Sequence, residues 1–244
     1  MSLGSALIIF VGGLFAGFVN ALAGGGSLLT VPLLGLAGVE GLIANGTNRV
    51  SVLLATISTG VGFARGGYFD WRKTLPVLVP AMAGGTVGAL LIANIEDVWF
   101  KRIFGVVMIP LLILSLRTPK PDRPPTPWPL PVSLIVFFLA GVYAGAIQAG
   151  VGLILLLILN RAGHDLVWAN AIKNYVIIGV SLIAVPIFVA SDQVRWLPAL
   201  VLSAGTMTGG YIGANSAVTG GEKVIKPVLV VSVVILAGRM LGLY

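Results

Sequence analysis

Apolar runs follow one another along almost the whole chain, many of them close to the ~20 residues that a helix needs to cross ~30 Å of hydrocarbon. Strict two-residue alternation is missing, which excludes an outer-membrane barrel. Only 9% of the 244 residues are charged and 57% are hydrophobic, whereas a soluble domain carries roughly 25% charged residues. The expected fold is therefore an all-α polytopic membrane protein. In a soluble protein a net charge of +7 would suggest nucleic acid, but here the basic residues fall in short loops and report orientation, so membrane lipid is the expected partner. Cysteine is absent, which removes disulfides, thiol catalysis and thiolate metal sites. Residues 21–23, Ala-Leu-Ala, resemble a signal-peptide cleavage site, but no Lys or Arg precedes the first apolar run, so a retained first segment is expected.

The chain reads as two copies of one unit. A-N-G-T-N-R-V begins at Ala44 and A-N-A-I-K-N-Y begins 125 residues later at Ala169. The same offset pairs Trp71 with Trp196, Gly84 with Gly209, Gly88 with Gly213 and Lys101 with Lys226. Upstream, L-F-A-G-F-V-N-A from Leu14 matches V-Y-A-G-A-I-Q-A from Val142, which makes Asn20 and Gln148 equivalents. Weak internal symmetry of this kind is the usual mark of a transporter built from repeats. Residues 117–131 are so dense in proline that they cannot continue a helix, and they carry Arg117, Lys120 and Arg123. The expected division is a first repeat over 1–116, a linker over 117–131 and a second repeat over 132–244.

Each repeat is expected to open with a glycine-broken element, 3–23 with 27–38 and 132–149 with 153–160. Three transmembrane helices follow in each: 43–64, 74–93 and 98–116, then 169–190, 195–217 and 223–242. Arg65, Arg72 and Lys73 in one loop and the basic linker read as cytoplasmic, with Glu96 and Asp97 outside. That pattern fits broken elements that are hairpins, three crossings per repeat, and hence inverted repeats. Complete crossings would instead make the repeats parallel. Gly13 with Gly17, Gly84 with Gly88, Gly141 with Gly145 and Gly209 with Gly213 are expected to bring helix backbones together, because lipid supplies no hydrophobic drive for helix pairing.

Asn45, Asn48 and Arg49 share a helical face at i, i+3 and i+4, and Asn170, Lys173 and Asn174 repeat the spacing. Beside each stripe stands a break preceded by an amide: Asn20 with Gly24, Gly25, Gly26 and Ser27, and Gln148 with Gly150 and Gly152. Glycines there permit positive φ and aim the N-terminus of the following short helix inward. Two such N-termini, several amides, two cations and no nearby carboxylate make an electropositive pocket whose natural occupant is an anion. For Arg49 and Lys173 the competing reading is snorkelling to headgroups. The lone His164 is expected to be solvated in a loop. G-G-G-S lacks the rest of a phosphate loop, and the acidic residues sit in loops or short links.

G-G-G-S-L-L-T-V-P-L-L at 24–34 followed by A-N-G-T-N-R-V resembles the sulfite exporter TauE/SafE family of membrane permeases. The resemblance implies a bacterial or archaeal cytoplasmic-membrane permease for small sulfur-containing anions such as sulfite or organosulfonates. It places the motif on Gly24 to Gly26 and on Ala44 to Asn48, so Thr47 joins the candidate site. The second copy departs from the pattern, with G-V-G-L for the glycine run and Ile172 opposite Thr47. The expected function is a secondary transporter, not an enzyme, without cofactor or metal and with a proton or sodium as candidate coupling ion. An anion channel with the same pocket and a membrane-embedded scaffold are the alternatives.

Overall fold

A computed structural model describes residues 1–23, 26–116 and 128–216. Its helices in chain order are α1 (Leu3–Ala23), α2 (Ser27–Leu36), α3 (Gly41–Arg65), α4 (Trp71–Ala93), α5 (Asp97–Leu116), α6 (Leu130–Ala146), α7 (Val151–Arg161), α8 (Leu166–Ala190) and α9 (Trp196–Ser216). No strand occurs among the described residues. Gly24, Gly25, most of the linker and the expected span at 223–242 lie outside them.

The elements follow the apolar runs, with local corrections. Helix α6 begins at Leu130, two residues inside the stretch expected as linker, because Pro131 falls at the helix start, where its missing N–H has no intrahelical partner to lose. It ends at Ala146 rather than 149, since residues 147–150 form the turn into α7. Asp97, expected in a loop, is the first residue of α5. Asp70 and Asp165 start α4 and α8 by accepting hydrogen bonds from the N–H of Arg72, and of Val167 and Trp168, respectively.

Three described helices are long and apolar enough to cross a membrane: α1 over Leu3–Asn20, α4 over Trp71–Ala93 and α8 over Val167–Ala190. Apart from Asn20 at the end of α1 and Arg72 and Lys73 at the start of α4, their outward residues are mainly apolar, as at Leu3, Leu7, Val79, Leu91 and Leu182. In water such a surface would be a large exposed hydrophobic patch, whereas in hydrocarbon it is solvated.

The halves are packed through each other. Gly13 and Gly17 of α1 lie on the α9 backbone at Leu202 and Thr206, and Gly205 and Gly209 of α9 lie on Phe10 and Leu14 of α1. The equivalent pair does the same: Gly84 and Gly88 of α4 meet Phe138 and Val142 of α6, while Gly141 and Gly145 meet Ala81 and Gly85. At each of these glycines except Gly13, where the fit is tight, a β-carbon would collide with backbone of the partner helix. Residue numbers rise together in both pairs, so α1 runs parallel to α9 and α4 to α6. Between α3 and α8 they run opposite: Gly46 lies on Phe188 and Gln193, and Gly60 lies against Tyr175 and Ile178.

Within the first half, α2 folds back along α1. Gly26 rests on Ala16 and Asn20, and Gly12 rests on Leu33. In the second half the far end of α7, with Ala162 and His164, shares a cavity with Leu130 and Ser133 at the start of α6, so this pair is also a hairpin.

Candidate functional site

The polar stripe of α3 is buried. Asn45, Thr47, Asn48 and Arg49 have no exposed surface. Arg49 stands eight residues into α3, about 12 Å along its axis, and it does not snorkel. A buried guanidinium needs acceptors, because losing its water costs several kcal/mol. They come from the other half of the chain. Nη1 donates to the Ala144 carbonyl and, at 2.8 Å, to Gln148 Oε1, while Nη2 donates to the Gly145 carbonyl at 2.7 Å. Asn45 Nδ2 donates to the Ala146 carbonyl at 2.8 Å.

These acceptors have a common origin. Ala144, Gly145 and Ala146 are the last three residues of α6, whose carbonyls have no N–H ahead of them in the helix and carry the negative end of its dipole. A cation and an amide on α3 therefore complete the C-terminus of α6. The Phe188 ring closes another side, 5.5 Å from Arg49 Cζ, a favourable place for a desolvated cation.

The turn that follows uses two left-handed residues, Gln148 at φ 65° and Gly150 at φ 71°. Sequence reasoning assigns positive φ to glycines, yet here a glutamine adopts it, fixed by its bond to Arg49 and by burial. Tyr143 Oη donates to the Ala149 carbonyl and braces the same turn. Gly26, in contrast, is right-handed at φ −61° and caps α2. Its small size serves close approach to α1. Gly152, expected in the break, is inside α7.

The two breaks touch. The Gly150 N–H, at the N-terminus of α7, donates to Oγ of Ser27, the first residue of α2, at 3.1 Å. On the other flank, Gly152 faces the aliphatic stem of Lys173. Lys173 Nζ donates to Asn170 Oδ1 at 2.8 Å, and Asn174 is buried nearby on the same helix. Asn20 is different: its side chain is exposed at the end of α1, outside the buried cluster. Thr47 turns away from the stripe, as i+2 spacing requires, and its hydroxyl accepts the Arg195 N–H at 3.0 Å, fixing the entry to α9.

Four polar atoms of this centre have no hydrogen-bond partner among the described residues: Asn45 Oδ1, both amide atoms of Asn48, and Arg49 Nε. An unpaired buried polar atom costs roughly 1–3 kcal/mol. Four on one turn of helix are unusual. They offer both donors and acceptors. Sequence reasoning missed Tyr143, Phe188 and the α6 carbonyls. Tyr143, within the repeated V-Y-A-G-A-I-Q-A, was the only one with a visible signal.

No group of three or more potential metal-ligating side chains occurs among the described residues. Helices with apolar outer faces around a buried polar centre define a multi-pass membrane protein. The chain belongs to the sulfite exporter TauE/SafE family, whose sequence model matches residues 9–240, and this is a family of membrane transporters, not of enzymes. Curated relatives include "Probable membrane transporter protein ORF9" of Sinorhizobium, 29% identical over 96% of this chain and 91% of its own length. A "Probable membrane transporter protein" of Haemophilus influenzae is 29% identical over 96% and 93%, and "Probable membrane transporter protein YfcA" of Escherichia coli 25% over 96% and 88%. No solved structure matches the chain.

Proposed function

We propose that this protein is a secondary transporter for a small anion, a sulfur oxyanion such as sulfite or an organosulfonate, held where the two broken elements meet and moved by alternating access. The observation that carries this reading is the fully buried Asn48 amide with neither atom partnered, beside Arg49 Nε and Asn45 Oδ1. A static core would replace such a group with an apolar one at little cost. A passing solute that completes the hydrogen bonds accounts for its presence.

Arg49 is the principal counter-charge, with three of its five donors already committed to Ala144, Gly145 and Gln148. An entering oxyanion meets Nε directly, along the guanidinium edge that Nε shares with Nη2. Its planar fork suits two oxygens at once. Lys173, Asn170 and Asn174 serve as the second cationic edge, and Ser27 with Gly150 N–H as the floor. The unpartnered atoms include two amide oxygens, which disfavour a dianion and accept a hydrogen bond from a protonated monoanion. Hydrogen sulfite therefore suits the centre better than sulfate.

Inverted repeats follow from the same reading. Equivalent helices α3 and α8 lie antiparallel, and an axis relating antiparallel equivalents lies in the membrane plane. The reciprocal α1·α9 and α4·α6 pairs support this, and the same reading puts the 117–131 linker on the cytoplasmic side of the cell membrane. Among the described residues, Arg65, Arg72, Lys73 and Arg161 sit at the linker end, while Glu40, Glu96, Asp97 and Asp192 sit at the other.

The test is uptake of sulfite, an organosulfonate and sulfate into proteoliposomes, with and without a pH gradient. Saturable uptake with counterflow, lost in Asn48→Leu, is expected. Non-saturating flux would establish a channel, and no flux of any of the anions would reject the reading.

A further inference from the structure

A second group of cations lies far from the buried centre. A cavity of about 240 Å³ opens between the first turns of α4 and α6 and the loop after α7. Taking ~30 Å³ per water, it holds roughly eight waters, more than a phosphate group needs. Arg72, Lys73 and His164 line it together with the Ser133 hydroxyl, over a wall that includes Phe137 and Trp128.

The charge around this cavity is unbalanced. Among the described residues no acidic side chain lines it, and neither Arg72 nor Lys73 has an ion pair. Of the nearby carboxylates, Asp70 accepts the Arg72 N–H at the start of α4 and Asp165 accepts two N–H groups at the start of α8, and neither forms an ion pair with Arg72 or Lys73. Lys73 is held in place by the Trp168 ring, 3.9 Å from its Nζ. His164, expected to be solvated, is half-buried. Burial and the Lys73 ammonium keep its imidazole below its ordinary range, and Asp165 opposes them only in part. Holding like charges together around an opening is unfavourable without an anion between them.

The surroundings fit an interface. Trp71 is exposed and Trp168 half-buried at this end of the bundle, where amphipathic rings mark the headgroup level. Basic pockets between helices at a membrane surface accept phosphate headgroups through the same charge-assisted bonds that hold a free phosphate.

We propose that the cavity between α4, α6 and the 162–165 loop binds a phosphate group, carried by an anionic lipid or free, through Arg72, Lys73, His164 and Ser133. This cavity is separate from the proposed transport site.

The experiment uses the purified full chain in detergent and follows thermal unfolding on titration with short-chain phosphatidylglycerol, phosphatidylcholine or inorganic phosphate. A saturable stabilisation by phosphatidylglycerol but not phosphatidylcholine is expected. Its half-point should weaken by roughly tenfold or more in Arg72→Gln/Lys73→Gln, since each charge-assisted bond lost is worth at least a several-fold factor. The same behaviour with inorganic phosphate would identify a free anion as a sufficient ligand. Equal stabilisation by both lipids, none by any probe, or a titration unchanged in the double variant would overturn the proposal. Should the double variant not fold, Ser133→Phe fills the cavity without altering charge, and an undiminished response there would overturn it equally.

Discussion

Arg49 Nη1 and Gln148 Oε1 are joined by a hydrogen bond of 2.8 Å although 99 residues separate them. The first residue belongs to a helix of one half and the second to the turn of the other half. That turn is held in a backbone conformation glutamine rarely adopts. The bond thus ties the shape of one half's break to the position of the other half's helix.

Arg49→Lys should therefore be far from conservative. A lysine brings three donors on a point charge, without the planar fork that spans Ala144, Gly145 and Gln148. Unfolding should move to lower temperature by several degrees, and uptake should fall at least about tenfold. Arg49→Met should be worse, because it leaves three buried acceptors open. Thermal scans and proteoliposome uptake check both.

Asn48→Leu should separate stability from function. The side chain forfeits no hydrogen bond and gains apolar contacts, so stability should be unchanged or higher by about 1 kcal/mol. Uptake should be abolished. A matching loss of stability would mean that Asn48 has a structural partner.

Glycines should divide by what faces them. Gly84→Ala drives a methyl group into the Phe138 carbonyl and must part α4 from α6, at a cost of about 1–3 kcal/mol. Gly62→Ala meets nothing within 4 Å and removes a poor helix former, so it should be neutral or stabilising by about 0.5–1 kcal/mol. Side-by-side thermal unfolding in one detergent checks the pair.

Because the chain has no cysteine, single cysteines report sidedness directly. Gly66 and Ser191 are equivalents at the 125-residue offset and both are exposed, just after α3 and α8. Inverted repeats require the two cysteines to react from opposite membrane faces, and the proposed cytoplasmic linker makes Gly66→Cys the one expected to react from the cytoplasm. Labelling from the same side would make the repeats parallel.

His164 should contribute a pH dependence. Its folded-state pKa lies below the ordinary value, so as pH falls through and below about 6.5 the unfolded chain gains a proton that the folded chain resists. Stability declines across that window, and His164→Gln should flatten this part of the profile. A bound phosphate group favours the imidazolium, so its affinity should rise over the same range. Unfolding scans from pH 8 to 5, with and without phosphatidylglycerol, check both.

Much of this architecture is legible in one dimension. Apolar runs announce the helices because each must be soluble in hydrocarbon. The 125-residue offset announces two units, and the i, i+3, i+4 spacing puts Asn45, Asn48 and Arg49 on one face. The glycine pairs of α1, α4 and α6 are also visible, whereas in α9 it is Gly205 with Gly209 that packs on α1, one turn from the expected Gly209 with Gly213, and nothing local says that α1 clasps α9 of the other half rather than a neighbour of its own. Asn20 and Gln148 look alike in the alignment of the two halves, yet one is exposed and the other buried against Arg49.

What the sequence determined by itself was the membrane class, the repeat and the polar stripe, since these depend on composition and on spacing along one helix. Only the tertiary structure decided what the stripe touches. The partners of Arg49 and Asn45 are mostly main-chain carbonyls, which every residue carries, and they become special only where α6 stops and α3 of the other half lies beside its end.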